Sequence, residues 1–271
     1  MQAIKPIFLN REDLTAPSST MTTCGQVSFY SHRAPDKDTD NEDSIAILQP
    51  APDILVLVVA DGLGGERAGS EASRIAVESM HESIRNVDQA DGLREGILSG
   101  FEHANNAVRA LGIGAATTLA VVEIRGRQMR AYHVGDSAIL VCGQRGKDKF
   151  QSLAHSPTAY AVEAGLLDES DAMQHEHRHL VSNVVGSEEM HIDMGPLLEL
   201  ADRDTVLLAS DGLTDNLYYE EIVEVVRHGK LELAASQLLA RSIKRMHGEE
   251  ASHPGKPDDL TFVLFRPGAA S

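Results

Sequence analysis

Apolar residues recur along this chain with two different periods, and the switches between them mark out its elements. Residues 26–32 (QVSFYSH) and 44–48 (SIAIL) alternate well enough for strands, and 54–60 (ILVLVVA) is a continuous apolar run. Its shortness and valine content favour a fully buried strand over a helix. From about Ser70 the period lengthens. Ala72, Ile75, Ala76, Met80, Ile84 and Val87 fit one face of a helix, and Leu93, Ile97, Leu98, Phe101, Ala104, Val108 and Leu111 fit a second. Strands return at 117–124 and 129–134, split by the hairpin signal Arg125-Gly126-Arg127, and again at 138–142, 205–209 and 260–265. Helices are expected over 220–228 and 231–247, and a polar, His-rich, helical insertion over about 152–190. Residues 1–23 hold Pro6, Pro17 and Ser18-Ser19-Thr20 without a clear period. They read as an N-terminal extension, either a loose tail or a strand docked on a body spanning 24–271. Strands come in clusters with paired helices between them. That order lacks the strict alternation of a doubly wound sheet and favours an α+β layered architecture with antiparallel sheets.

Charge narrows the function. The 271 residues carry 24 Lys and Arg against 41 Asp and Glu, a formal net charge of −17. Neither a nucleic-acid binder nor a polybasic membrane anchor is expected with that balance. No run approaches the roughly 18 apolar residues of a spanning helix, and the start MQAIKPIFLNRED lacks the apolar core of a secretory signal. A cytoplasmic location follows as the expectation. Cys24 and Cys142 lie far apart with no CxxC, which points to structural thiols rather than a disulfide framework or a zinc site.

The acidic residues cluster at strand ends. ILVLVVA runs into Asp61-Gly62, AYHV into Gly135-Asp136-Ser137, and TVLLAS into Asp211-Gly212. Asn41-Glu42-Asp43 leads into SIAIL, and Pro257-Asp258-Asp259 into LTFVLF. One Asp-Gly after a strand is ordinary turn chemistry. Five acidic strand ends are harder to explain that way, because a carboxylate at the mouth of an apolar strand is costly unless solvated, hydrogen-bonded or held on a cation. An oxygen-only ligand set fits Mg²⁺ or Mn²⁺ rather than zinc. Gly62, Gly64 and Gly65 would let the backbone approach an ion, with the Gly62 carbonyl as a candidate ligand.

Taken in order, Asn41-Glu42-Asp43-Ser44, VVADGLGGERAGSEAS (58–73), GAATTLAVV (114–122), HVGDS (133–137), LLASDGLTDNL (207–217) and PDDLTFVLF (257–265) resemble the metal-dependent protein phosphatases of the 2C (PPM) type, bacterial branch. The likeness spans roughly residues 24–266. It implies a sandwich of two antiparallel β-sheets flanked by helices, an α/β/β/α four-layer arrangement, with a metal centre at one end. It places Asp61 as the metal-bridging aspartate and the Gly62 carbonyl as a ligand. Asp211 and Asp258 hold a first ion, and Glu42, with Asp43 beside it, a second through water. Asp136 belongs to a weaker third. Asp61 and Asp211 are thereby the catalytic candidates. The implied activity is hydrolysis of phosphoserine and phosphothreonine in proteins by a water or hydroxide bridging two Mn²⁺ or Mg²⁺ ions. A phosphoprotein substrate, a cognate Ser/Thr kinase and a monomeric chain are the implied partners and state, and 152–190 is the family's variable lid.

The chain departs from the family pattern at four positions. Asp38 stands where an Arg often binds substrate phosphate, leaving Arg33 and Lys37 as candidates for that role. Leu63 replaces a His proposed elsewhere as general acid, Ala138 replaces an Arg after GDS, and Asp259 replaces a common Asn. His175 and His179 in MQHEHRHL would share a helix face at zinc-binding spacing, although a solvated polar helix is the simpler expectation. His133 and His155 read as packed structural residues, and Thr117 and Thr118 as strand packing with hydroxyls near the site. Glu66 and Arg67 either touch substrate or support the following helix by charge. A catalytically silent regulator with the same fold is the alternative, for which the missing Arg speaks and the intact acidic set does not. A nuclease is disfavoured by the charge.

Overall fold

A computed structural model of the chain describes residues 4–63, 67–87, 90–173, 175–250 and 252–268. The elements run β1 (Ile7–Asn10), β2 (Ser18–Met21), β3 (Gly25–His32), β4 (Ser44–Ala51), β5 (Ile54–Ala60), β6 (Gly62–Leu63), α1 (Arg67–Ile84) and α2 (Ala90–Ala110). They continue with β7 (Ala116–Thr117), β8 (Leu119–Arg125), β9 (Gln128–Val134), β10 (Ala138–Cys142), β11 (Asp148–Gln151), α3 (Pro157–Glu163) and α4 (Glu169–Ala172). The last third holds β12 (Asp193–Met194), β13 (Leu198–Glu199), β14 (Thr205–Ala209), α5 (Asp211–Thr214), α6 (Tyr219–Val226), α7 (Leu231–Met246) and β15 (Leu260–Pro267).

One sheet has the order β1-β4-β5-β8-β9-β12, with β13 also on β9, and the other β11-β10-β14-β15-β3-β2. The ladders between the described strands are antiparallel. The unbroken apolar run of β5 follows from where this strand lies. Leu55, Leu57 and Val59 face the second sheet, among Val206, Leu208, Val263 and Phe265. Val56, Val58 and Ala60 face α1 and α2, among Ala76, Met80, Ile97 and Phe101. The second sheet is covered likewise on its outer face, where Leu207, Phe262 and Leu264 pack on Ile222, Ala235 and Leu238 of α6 and α7. Three apolar cores thus alternate with helices, sheet, sheet and helices. Gly100 of α2 brings α1 and α2 together, since a Cβ there would lie 2.7 Å from Met80 Sδ.

Two details differ from the sequence expectation, and the alternative left open for the N-terminal extension resolves to docked strands. Residues 7–10 and 18–21 are not loose: β1 extends the first sheet beside β4, and β2 the second beside β3. Four-residue edge strands carry too short an alternation to be read from sequence. The expected strand 117–124 breaks at Thr118, where β7 leaves to pair with β6. The His-rich stretch is not helical: α4 ends at Ala172, and residues 176–179 form turns in which Arg178 Nη1 donates to the Met173 carbonyl. Cys142 is buried, while Cys24 is only half-buried.

Truncating Leu57, fully buried between the sheets, to Ala should lower the unfolding free energy in a urea titration by about 2–5 kcal/mol. Leu166, 82% exposed, should tolerate the same change within about 0.5 kcal/mol.

Candidate metal centre

Strand register brings the acidic ends together. Ser44 pairs with Ala60, which sets Asp43 beside Asp61. Ala138 pairs with Ala209, which sets the Asp136 turn beside Asp211, and Ala209 pairs with Phe262, which draws in Asp258 and Asp259. Ser210 Oγ then donates to Asp43 Oδ2 at 2.8 Å, joining the two sheets at this end. Asp61 is held through its backbone. Its carbonyl accepts from Thr118 N and from Thr117 Oγ1, both at 2.8 Å, and its N–H donates to Thr118 Oγ1 at 2.9 Å. Thr118 Oγ1 also meets Ser137 Oγ at 2.6 Å, linking Asp61 to the turn that carries Asp136. The break in the 117–124 strand is therefore the wrap of Thr117 and Thr118 around Asp61. Gly62 and Gly69 close the back of the site: a Cβ on Gly62 would lie 2.3 Å from the Gly69 carbonyl, and one on Gly69 2.2 Å from Glu42 Oε1. Gly64, Gly65 and Glu66, and the side chain of Arg67, lie outside the described residues.

Carboxyl groups at this end repel one another and lose water. Burial, with Asp43, Asp211, Asp258 and Asp136 as neighbours, holds Asp61 well above the usual carboxylate range. Burial and Asp259 do the same to Asp43. Asp136 is pushed up to about 7 by burial and by Asp211 and Asp215. Asp211 and Asp258 are raised for the same reason and lowered in part by Lys256. Burial raises Glu42, and Lys37 opposes it.

Two lysines face this acidic group. Lys37 Nζ lies 2.8 Å from Glu42 Oε2 and 2.7 Å from Asp259 Oδ2. Lys256 Nζ lies 2.7 Å from Asp211 Oδ2, 3.0 Å from Asp215 Oδ2 and 2.8 Å from Asp258 Oδ2. Arg33 sits further out, donating from Nε and from its backbone N–H to Asp13 and from Nη1 to the Thr39 carbonyl. Sequence reading missed Asp215 and Lys256. The signals were present: Asp215 follows Asp211 by four residues, one turn on, and Lys256 immediately precedes the Pro-Asp-Asp segment.

The donor set fits hard divalent ions. Glu42 Oε1 and Asp43 Oδ1 are buried with no hydrogen-bond partner. Such orphaned carboxylate oxygens are expensive without a cation. A second cluster, His133, His155 and Asp193, has ligand atoms within 4.8 Å of one another. Hydrogen bonding argues against a cation there. His155 Nδ1 accepts the Gly135 N–H at 3.1 Å, which places the ring proton on Nε2, 3.2 Å from Asp193 Oδ2. That nitrogen has no lone pair to offer. His133 stacks on His155 at 4.6 Å between ring centroids and meets the Leu153 carbonyl through Nε2.

Comparison with known proteins agrees with this geometry. A family model described as protein phosphatase 2C matches residues 30–253. Protein phosphatase PhpP of Streptococcus pneumoniae is 31% identical over 237 residues, covering 84% of this chain and 92% of that protein. A serine/threonine phosphatase structure from S. agalactiae aligns with a TM-score of 0.76 at 25% identity, over 89% of this chain and 98% of that one. The catalytic domain of the phosphatase PstP, solved with two manganese ions, shares the fold with a TM-score of 0.69 at 22% identity, over 89% and 97% of the two chains.

The raised carboxyls give the metal-free protein a pH signature. Asp136 binds a proton in the folded state up to about pH 7 and in the unfolded chain only up to about pH 4. Its favourable contribution is complete below the unfolded value and is lost as pH rises through the folded one. Without divalent ions, the melting temperature should fall between pH 5 and pH 8 in differential scanning calorimetry. Added Mn²⁺ should raise it more at pH 8 than at pH 5.

Proposed function

The chain belongs to the protein phosphatase 2C family, and from that we propose that it is a divalent-metal-dependent phosphatase acting on phosphoserine and phosphothreonine in proteins. The observation that carries this reading is the meeting of Glu42, Asp61, Asp136, Asp211 and Asp258, from ends of both sheets, in one mutually repelling group.

In this reading Asp61, with the Gly62 carbonyl beside it, would be shared in holding the divalent ions. Asp211 and Asp258 would help hold one ion, and Glu42, backed by Asp43, another. Asp136 and Asp215 would serve a weaker third. Mn²⁺ or Mg²⁺ is the expected metal, and the manganese-bound PstP relative favours the first. Bound divalent ions supply an acidified water and neutralise charge on the phosphoryl oxygens. The chain's own residues do the rest. Thr117 and Thr118 fix Asp61 through its backbone, so its carboxylate is held in place before substrate arrives. A cavity of about 570 Å³ opens beside Asp136, Asp211 and Asp215 and is lined further by Met173, Arg178 and Tyr219. It admits a phosphorylated side chain. Leu63 has no proton to give, so the leaving oxygen takes its proton from water or from another group. Of the two basic candidates for the phosphate, Lys37 stands at the acidic centre, whereas the charge of Arg33 is taken up by Asp13.

Among the described residues no helix is long and apolar enough to cross a membrane. A monomeric cytoplasmic enzyme that reverses the work of a Ser/Thr kinase in signalling completes the proposal.

The test is hydrolysis of a small aryl phosphate and of a phosphothreonine peptide with Mn²⁺ added. EDTA should abolish both activities. Asp61→Ala and Asp211→Ala should each lower kcat/KM by on the order of 100-fold or more. Activity that survives chelation overturns the reading.

A further inference from the structure

The acidic centre already contains a cation of its own. Lys256 Nζ donates a hydrogen bond to Asp211 Oδ2 at 2.7 Å and pairs with Asp258 Oδ2 at 2.8 Å and Asp215 Oδ2 at 3.0 Å. Those three carboxylates come from the start of α5, from its C-terminal end one turn later, and from the approach to β15. The backbone of Lys256 is fixed as well. Asn216, fully buried, accepts the Lys256 N–H through Oδ1 at 2.9 Å and donates from Nδ2 to the Lys256 carbonyl at 2.9 Å. The same Nδ2 reaches the Gly212 carbonyl at 2.9 Å. Gly212 in turn lies so close to Asp259 that a Cβ would fall 1.9 Å from the Asp259 carbonyl. One buried amide thus locks the lysine to the turn that bears Asp211 and Asp215.

We propose that Lys256 is a built-in counter-ion of the metal centre, whose ammonium occupies a position among Asp211, Asp215 and Asp258 that a divalent ion would otherwise take. This rests on the metal-dependent reading above and adds to it a consequence for how many ions the protein binds and how tightly. A single ammonium carries half the charge of a divalent ion, yet its hydrogen-bonded contacts at 2.7–3.0 Å fill the same space. An entering ion at Asp211 and Asp258 must displace it or share those carboxylates with it. Lys256 therefore weakens metal binding at the Asp211 side of the centre. It also keeps the metal-free protein from holding three unneutralised carboxylates together. Lys37 stands differently: it spans Glu42 and Asp259 on the other side, and Asp259 also accepts the N–H groups of Ala34 and Glu42.

The experiment is an isothermal Mn²⁺ titration of the full chain at one pH, with melting temperatures of the metal-free proteins, for wild type, Lys256→Met, Lys256→Gln and Lys256→Arg. Lys256→Met and Lys256→Gln should bind one Mn²⁺ more per chain than wild type, or bind it at least about 10-fold more tightly. Both should melt lower than wild type without metal and recover with saturating Mn²⁺. Lys256→Arg, which keeps the charge, should stay close to wild type in ion count and affinity. Lys256→Gln gives the answer if Lys256→Met does not fold. Unchanged count and affinity in the neutral variants, or weaker binding, overturns the counter-ion role and leaves the metal reading standing. If wild type itself takes up no Mn²⁺, the metal reading falls and the counter-ion role falls with it.

Discussion

Everything at the working end of this protein answers to the repulsion between carboxylates that the fold forces together. Glu42, Asp43, Asp61, Asp136, Asp211, Asp215, Asp258 and Asp259 interact with one another there. Two like charges about 4 Å apart cost roughly 4 kcal/mol at an effective dielectric constant near 20. A group of this size would open the end of the sandwich unless cations or protons neutralised it. The rest of the chain supplies the opposing force. The apolar faces of β5, β14 and β15 pack into the cores on either side of the two sheets, and each buried Val or Leu contributes about 1.5–3 kcal/mol. The continuous apolar strands and the acidic turns that end them are two halves of one design: the first holds the second in place.

Local devices then decide where each carboxylate points. Thr117 and Thr118 leave the β8 ladder to grip the backbone of Asp61. Asn216 grips Lys256 and Gly212. His155 pairs twice with Gly135, its N–H to the Gly135 carbonyl at 3.0 Å and its Nδ1 to the Gly135 N–H, which steadies the turn before Asp136. Ser182, in the polar segment after the short helices, donates from both its N–H and its hydroxyl to the His155 carbonyl. That segment is thereby tied to the turn next to Asp136.

Which parts of this were legible in sequence follows from the range of the interactions involved. The strands 54–60 and 260–265 and the helices over 72–84 and 93–108 announce themselves because burial on a sheet or helix face imposes a period within the segment. The acidic strand ends were legible because a carboxylate beside an apolar run is locally anomalous. Edge strands β1 and β2 were legible only as one of two alternatives, because four residues half-covered on one side impose almost no pattern. Asp215 and Lys256 were not legible as members of the centre. Their meaning lies in what Asn216 and the β14–β15 register bring near them across 40 residues of chain. The His-rich stretch was misleading in the opposite sense. Its spacing suited a helix face, but the Arg178 contact to the Met173 carbonyl and the turn from His175 to Arg178 stabilise a bent path instead.

The same electrostatics orders the events of catalysis. A phosphate monoester approaching the metal-free centre meets eight acidic groups and two lysines, each lysine already paired with at least two of the acids. The chain as a whole carries −17. A phosphorylated side chain has no favourable field to follow into such a site. Cations held by these carboxylates would offset their charge and compete with Lys37 and Lys256 for the same oxygens. Such loading would make the wall of the cavity beside Asp136 and Asp211 less repulsive to a phosphoryl group. In the metal-dependent reading, occupancy of this centre would then bear on substrate capture as well as on the chemical step. The Asp at position 38 is also less puzzling in this light, since Lys37 and Lys256 contact the acidic group directly whereas Arg33 is bound to Asp13.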